Sequence, residues 1–409
     1  MQAGGKQGQR TDWSNTQFAV LGLAALERAE SRGYAYRTRT PPDYWLRLRD
    51  YILNTWIATD TGWPYCPVTE NPETLRASAS MTCAGLASTL ITYAALNHSK
   101  NFPCGKDRAL LDKAEEALQF FQRSKANVMP TKLSAFESHQ MYRLYATERV
   151  GFYTGLRILG GVDWFQEGAK ICIECNKTAE NNGWKDIPGA AFTLMFLSKG
   201  RWPVVVQKLK WGEGWNDDAL DMLRLTEKAS EIFEEPELAK VNTSDTAYMP
   251  TPRAGKRCTW VAITEETPFS RLMKVPILYI CGKKFPDLSK TQVHILRKYA
   301  FSGGTILAVA TAGSKDFDSG FRKFCAENFS GYELTALERS HPLFSSWYRN
   351  GGGYLPVEGI TGPHGKLMVL YSSDGVACDW EGGSIDSKET RFGVSIIKYF
   401  SDQVPGIWK

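Results

Sequence analysis

The sequence predicts a multidomain protein, an all-α first half followed by an α/β second half with a mostly parallel sheet. Three observations predict it. A chain of 409 residues exceeds what one hydrophobic core normally supports. Four apolar segments of one texture recur before residue 200, and beyond residue 255 the pattern changes to alternating strands and helices.

The recurring segments are Asn15 to Leu26, Ser80 to Leu90, Ser138 to Gly151 and Gly189 to Ser198. Each opens on small or hydroxyl side chains and continues apolar almost all round, as a buried inner helix does. More amphipathic stretches alternate with them, at Asp43 to Trp56, Lys106 to Gln122 and Asp163 to Glu174. In the second of these, Leu110, Leu111, Ala114, Leu118 and Phe121 recur at helical spacing while Lys113, Glu115 and Glu116 face away, which predicts an outer helix. A double layer of helices is expected.

The connecting turns repeat as well: Asp60 to Tyr65 reads Asp-Thr-Gly-Trp-Pro-Tyr, and Asn181 to Asp186 reads Asn-Asn-Gly-Trp-Lys-Asp. Glycine is expected to supply a left-handed turn, and Trp63 and Trp184 to plug one helical hairpin onto the next. Gly-Trp turns ahead of small-residue inner helices resemble the prenyltransferase and squalene-oxidase repeats of α/α-toroid proteins. The resemblance covers residues 11–200 and implies an open part of such a ring.

Residues 201–255 read as a connector with an acidic helix from Asp217 to Phe233, followed by Pro/Thr-rich sequence. It resembles the joint that, in bacterial repeat proteins, leads to a C-terminal domain of unknown function. Residues 256–409 then alternate: strands at Cys258 to Ile263, Val275 to Cys281, Thr305 to Ala310 and Lys366 to Tyr371, with helices at Ser289 to Phe301, Ser314 to Phe329 and Thr390 to Phe400. Such alternation predicts parallel pairing with right-handed crossovers, in a three-layer domain. Val275 to Phe329 with Ser340 to Phe344 resembles that same uncharacterised domain, which implies a flavodoxin-like sheet of the class I glutamine-amidotransferase kind.

Composition narrows the function classes. Forty-nine basic against 44 acidic residues give a formal charge of +5, and no run of five Lys/Arg offers a footprint for nucleic acid. No stretch of eighteen apolar residues predicts a transmembrane segment, and the Gly/Gln/Arg-rich start lacks the apolar core of a signal peptide, although a natural product longer at its N-terminus would leave export open. Nine scattered cysteines suit buried thiols better than a disulfide framework.

Catalytic constellations are incomplete. A cyclase of the squalene type needs an acid cluster on an inner helix. The dense acidic group Asp217, Asp218 and Asp221 lies in the connector, where a solvated first helical turn explains it. A prenyltransferase zinc site needs an Asp near its Cys, and Cys83 has none. Cys172 and Cys175 have C-x-x-C spacing without a second pair, and His98 and His139 stand at helix ends, so no metal or cofactor is expected. In the α/β half, a nucleophile belongs on the turn after a central strand. Ala312 stands there, with Ser314 one step too far and better placed to cap a helix. Cys281, at the end of its strand, and His341 are the remaining catalytic candidates. Lys283, Lys284, Asp287, Thr311, Ser314 and the Gly351 to Gly353 loop are candidates to line a ligand crevice.

The expected function is non-catalytic binding or scaffolding, with a small molecule, lipid or protein as partner. The alternatives are an isoprenoid enzyme of the toroid type and an amidase-like hydrolase using Cys281 and His341.

Overall fold

The computed structural model describes residues 12–31, 41, 43–67, 75–97, 108–130, 138–182, 186–199, 202–212, 214–238, 257–348 and 351–408. The chain divides into two compact units, Met1–Arg201 and Trp202–Lys409.

In the first unit, the four apolar segments become α1 (Trp13–Ser31), α3 (Ala79–Asn97), α6 (Ser138–Thr154) and α8 (Ile187–Lys199). They pack in sequence order, α1 on α3, α3 on α6 and α6 on α8. The amphipathic stretches become α2 (Tyr44–Asn54) and α4 (Arg108–Gln122), which lie against α3, and α7 (Trp164–Asn182), which lies against α6. A single turn, α5 (Lys125–Val128), follows α4, and a short hairpin of β1 (Ile158–Leu159) and β2 (Val162–Asp163) precedes α7. Residues Ala79–Leu96 are long and apolar enough to cross a membrane, yet 83% of that stretch is buried among the other helices, the position of a core helix.

Trp63 is fully buried and donates its indole N–H to the Ile52 carbonyl at 3.1 Å. It lies flat on Gly85 of α3, where an added Cβ would sit 2.3 Å from the ring. Trp164 sits on Gly151 of α6 in the same manner. The other expected plug, Trp184, lies outside the described residues. The turn itself differs from expectation: Thr61 carries the left-handed conformation (φ 52°), and Gly62 is needed because a Cβ there would meet the Thr82 hydroxyl at 2.3 Å.

The second unit is a seven-stranded sheet, and its membership corrects the connector assignment. Val204–Leu209 forms β3 and pairs in parallel with both β4 (Thr259–Ile263) and β5 (Ile277–Gly282). A β-branched run after Pro203 is strand sequence, so residues 202–238 build the domain rather than lead to it. Parallel pairing continues through β6 (Thr305–Ala310) to β9 (Leu367–Ser372), and β8 (Glu358–Thr361) and β7 (Thr335–Ala336) close that edge antiparallel. The expected parallel pairing of β5 with β6 is present over six residues.

Alternation along the strands sorts the helices onto two faces. Leu278, Ile280, Ile306 and Ala308 pack with Leu296 and Tyr299 of α11 (Lys290–Phe301) and with Phe317, Phe321 and Phe324 of α12 (Lys315–Asn328). Ser289 caps α11 in a reciprocal capping box with Gln292. The opposite face carries Tyr279, which meets Asp221 of α9 (Asp221–Leu238) and Trp380 of α13 (Val376–Gly382). α14 (Lys388–Asp402) packs against α9 and α13. One helical turn, α10 (Phe269–Leu272), links β4 to β5.

Candidate functional site

The parallel strands β3, β5 and β6 end at one edge, where an open α/β sheet collects ligands. Beyond β6 the chain turns at Thr311, Ala312 and Gly313. Ala312 is left-handed (φ 52°, ψ 28°) and exposed, a conformation that costs a non-glycine residue roughly 1–2 kcal/mol. The turn is held from behind by Gly375, where a Cβ would sit 2.8 Å from the Ala312 Cα. The chain thus turns left-handed directly after β6, and the side chain it presents there is a methyl group.

Three of the expected ligand-lining residues, Lys283, Thr311 and Ser314, make hydrogen bonds here. Ser314 donates its hydroxyl to the Lys283 carbonyl at 2.5 Å, so it occupies the N-cap position of α12 without capping it. The Lys283 N–H is taken by the Asp217 carboxylate at 3.2 Å, and the Thr311 hydroxyl by Asp218 at 2.7 Å. Lys284 and Asp287 are exposed just beyond the same strand. Gly353 belongs elsewhere: its N–H donates to the Phe344 carbonyl at 3.2 Å, and a Cβ added there would sit 2.1 Å from the Ser395 hydroxyl oxygen of α14.

Beneath the edge lies a charged cluster that the sequence reading missed. Asp217 is partly exposed, but Asp218 and Asp221, expected in a solvated turn, are buried. Their counter-charge comes from β3: Lys208, also fully buried, donates to the Asp221 carboxylate and to the Asp218 carbonyl, each at 2.7 Å. The ammonium also faces the rings of Tyr279 and Trp215 at 5.6 and 5.8 Å. Asp221 further accepts from the Tyr279 hydroxyl at 2.7 Å. Glu381 of α13, fully buried, accepts the Leu220 N–H at 3.3 Å. The available signals were the Val204 to Val206 run, which marks a strand, and the Leu220, Met222, Leu223 and Leu225 pattern, which marks a buried helix rather than an acidic surface one.

Burial drives the electrostatics of the cluster. It pushes Asp218 up to about 6, with the Asp221 charge adding and the Thr311 hydrogen bond opposing. It pushes Glu381 up to about 8, with Asp218 and Asp221 adding. Burial alone would lower the Lys208 ammonium, but the Asp221 carboxylate outweighs it and holds Lys208 above its usual value.

Cys281 is buried at the end of β5, its thiol directed at the Trp215 carbonyl (3.6 Å) and Asp221 (3.7 Å). Burial raises it well above the ordinary thiol value, and the neighbouring carboxylates add to that against the pull of Lys208. A thiol so placed is inert at neutral pH. His341 caps the turn Pro342–Ser345, its Nδ1 accepting the Leu343 N–H at 3.2 Å, and its ring faces those of Phe344 and Tyr399. Among the described residues no hydrogen bond joins it to Cys281. Cys172 and Cys175 are both buried in α7, and His98 lies outside the described residues.

Residues 262–400 match the family model described as a domain of unknown function, DUF4159. The match begins within β4 and ends within α14, so β3 and α9, which carry Lys208 and Asp221, stand outside it. No curated protein and no solved structure matches the chain.

Proposed function

We propose that this chain is a non-catalytic binding or scaffolding protein. In this reading its helical unit is a toroid-like repeat array, and its α/β unit is a catalytically silent relative of the glutamine-amidotransferase fold that recognises a partner at the carboxyl edge of its sheet. The observation that carries it is Ala312, which keeps the strained backbone of an elbow and offers no atom that can attack a carbonyl. The buried, proton-retaining thiol of Cys281 supports it from the other side, since the hydrolase alternative needs that sulfur as a thiolate. In the helical unit, α8 leaves Ile187, Leu194 and Met195 exposed, an apolar strip of the sort a partner covers.

The test has two arms. A thermal-shift screen of small molecules and lipids is expected to find ligands that stabilise the wild type and fail to stabilise Lys283→Glu/Lys284→Glu. Alkylation of Cys281 across pH is expected to be slow at neutrality. Fast labelling of Cys281 that His341→Ala abolishes, accompanied by turnover of amide or ester substrates, would replace this reading with the hydrolase one.

A further inference from the structure

We propose that the helical unit joins a second copy of this chain across a two-fold axis, the uncovered face of α1 on each copy packing on the uncovered face of α8 on the other. This deepens the binding reading and rests on it only for the idea that the apolar strip of α8 takes a partner.

Four inner helices share one texture, and the chain covers them unequally. α3 is buried at every position from Met81 to Ala94, and α6 from Met141 to Gly151 apart from the half-buried Arg143. Each of these packs between two inner helices, whereas α1 packs chiefly on α3 and α8 chiefly on α6. The faces left over are apolar all the same. Phe18, Ala19, Gly22 and Ala25 are exposed on α1, and Ile187, Ala191, Leu194 and Met195 on α8. Neither stretch, 13–26 or 187–198, contains a charged residue. Contiguous apolar surface without charge marks a contact face.

A glycine identifies the occupant. Gly85, Gly151 and Gly168 each seat an aromatic ring, of Trp63, Trp164 and Phe196, at 2.3 Å from where a Cβ would stand. Gly22-Leu23-Ala24 on α1 repeats Gly85-Leu86-Ala87 on α3, yet nothing lies within 4 Å of the Cβ position at Gly22. A glycine inside a helix costs stability unless something packs close upon it, so Gly22 is a seat awaiting a side chain from outside the chain's own fold. The chain carries side chains of the right kind: Ile187 and Leu194 project from α8 at 76% and 71% exposure, opposite in size to the small residues of α1. Large against small is how the array's own contacts are made, so α8 on the α1 of a second copy continues its stacking order. The two faces also adjoin, because the Phe18 and Phe192 rings lie 6.1 Å apart. Gly22 stands one turn on from Phe18, and Met195 one turn on from Phe192. A two-fold axis beside that ring pair therefore lays α1 on α8 twice over, an isologous contact that closes at two copies. With so few residues on each side, the contact belongs at the weak end of specific interfaces.

Analytical ultracentrifugation of the full chain tests this. Between about 1 and 100 µM the wild type is expected to show a monomer–dimer equilibrium, half dissociated at roughly 10 µM. Gly22→Gln fills the empty seat, so its melting temperature should hold or rise while dimerisation weakens about thirtyfold or more. Ala19→Lys/Ala25→Lys and Ile187→Glu/Leu194→Glu should each be monomeric alone and form a dimer when mixed. The mixed dimer joins a lysine face to a glutamate face at one contact and two native faces at the other. A monomeric wild type overturns the proposal, and so do a mixture that stays monomeric, an α1 variant that still dimerises, or species that grow beyond two copies. A wild type that stays monomeric and instead binds phosphatidylcholine vesicles through Leu194 overturns it in favour of another occupant. If a charged variant does not fold, Gly22→Gln decides, because its side chain meets open space in the single chain. A monomer that the ligand screen still stabilises loses this dimer and keeps the binding reading. A dimer for which the screen finds nothing does the reverse.

Discussion

Each unit buries an ion pair, and the two pairs are built differently. In the helical unit, Arg149 grips its sequence neighbour Glu148 with two hydrogen bonds of 2.7 Å, and its guanidinium lies over Tyr145 and Phe152. That pair is closed, one cation against one anion on a single helix. In the α/β unit, Lys208 reaches from a strand to a helix thirteen positions away and shares its charge among three carboxylates. A balanced buried pair is silent to pH, whereas an unbalanced one stores a proton.

The largest expected effects break the pairs. Lys208→Met leaves Asp221 buried without its cation, and about 3–5 kcal/mol of stability should be lost. Arg149→Met should cost a similar amount in the helical unit. Chemical denaturation at two pH values compares them. Each variant leaves a buried carboxylate that takes up a proton, so each deficit shrinks as pH falls, more steeply for Lys208→Met because that ammonium faces more than one carboxylate. Equal pH slopes for the two variants would contradict the comparison.

Next in size is the pH slope set by Glu381. Its folded value, about 8, lies above the ordinary 4.5, so between these limits the native state holds a proton that the unfolded chain releases. Stability therefore falls as pH rises through that window, by up to about 1.4 kcal/mol per pH unit from this group. Asp218 adds the same sign between 3.8 and about 6. The wild type minus Glu381→Gln difference in unfolding free energy should follow this slope, and a flat difference would place the proton elsewhere.

How legible these features were differs between the units for a physical reason. Helical periodicity is local, so α1, α3, α6 and α8, and the outer α2, α4 and α7, could all be read from spacing. The strands β5 and β6 and the cap at Ser289 were equally local. The Lys208 cluster was not. The three aspartates resemble a solvated helix start unless Val204 to Leu209 is recognised as a strand, and only the sheet's register brings Lys208 beside Tyr279. Ala312 was legible by position, but its left-handed backbone depends on Gly375, sixty-three residues later. That a methyl stands at position 312 is plain in the sequence, and the left-handed backbone beneath it is not.

In the helical unit, Gly85→Ala should cost about 1–3 kcal/mol, because a methyl 2.3 Å from the Trp63 ring forces the indole from its seat. Thermal melting that is unchanged by the substitution would show that the indole has room to move, and that the Gly-Trp contact does not fix the packing of α3.

The smallest effect tests the elbow itself. Ala312 holds a conformation that glycine adopts freely, so Ala312→Gly removes a local strain of roughly 1–2 kcal/mol. Part of that gain is returned, because glycine has more freedom to lose on folding, about 0.5–1 kcal/mol relative to alanine. The expected net is a stabilisation of about 0.5–1 kcal/mol, read as a higher denaturation midpoint for the α/β unit. The methyl is exposed, so its removal costs little packing. A destabilised Ala312→Gly would mean that the left-handed turn is not strained in the folded chain. In that case Gly375 is simply close packing, and Ala312 loses its standing as a silenced elbow. A stabilised variant that still binds whatever ligand the edge takes would show that the strained backbone, and not the methyl it carries, is the part of the site this protein keeps.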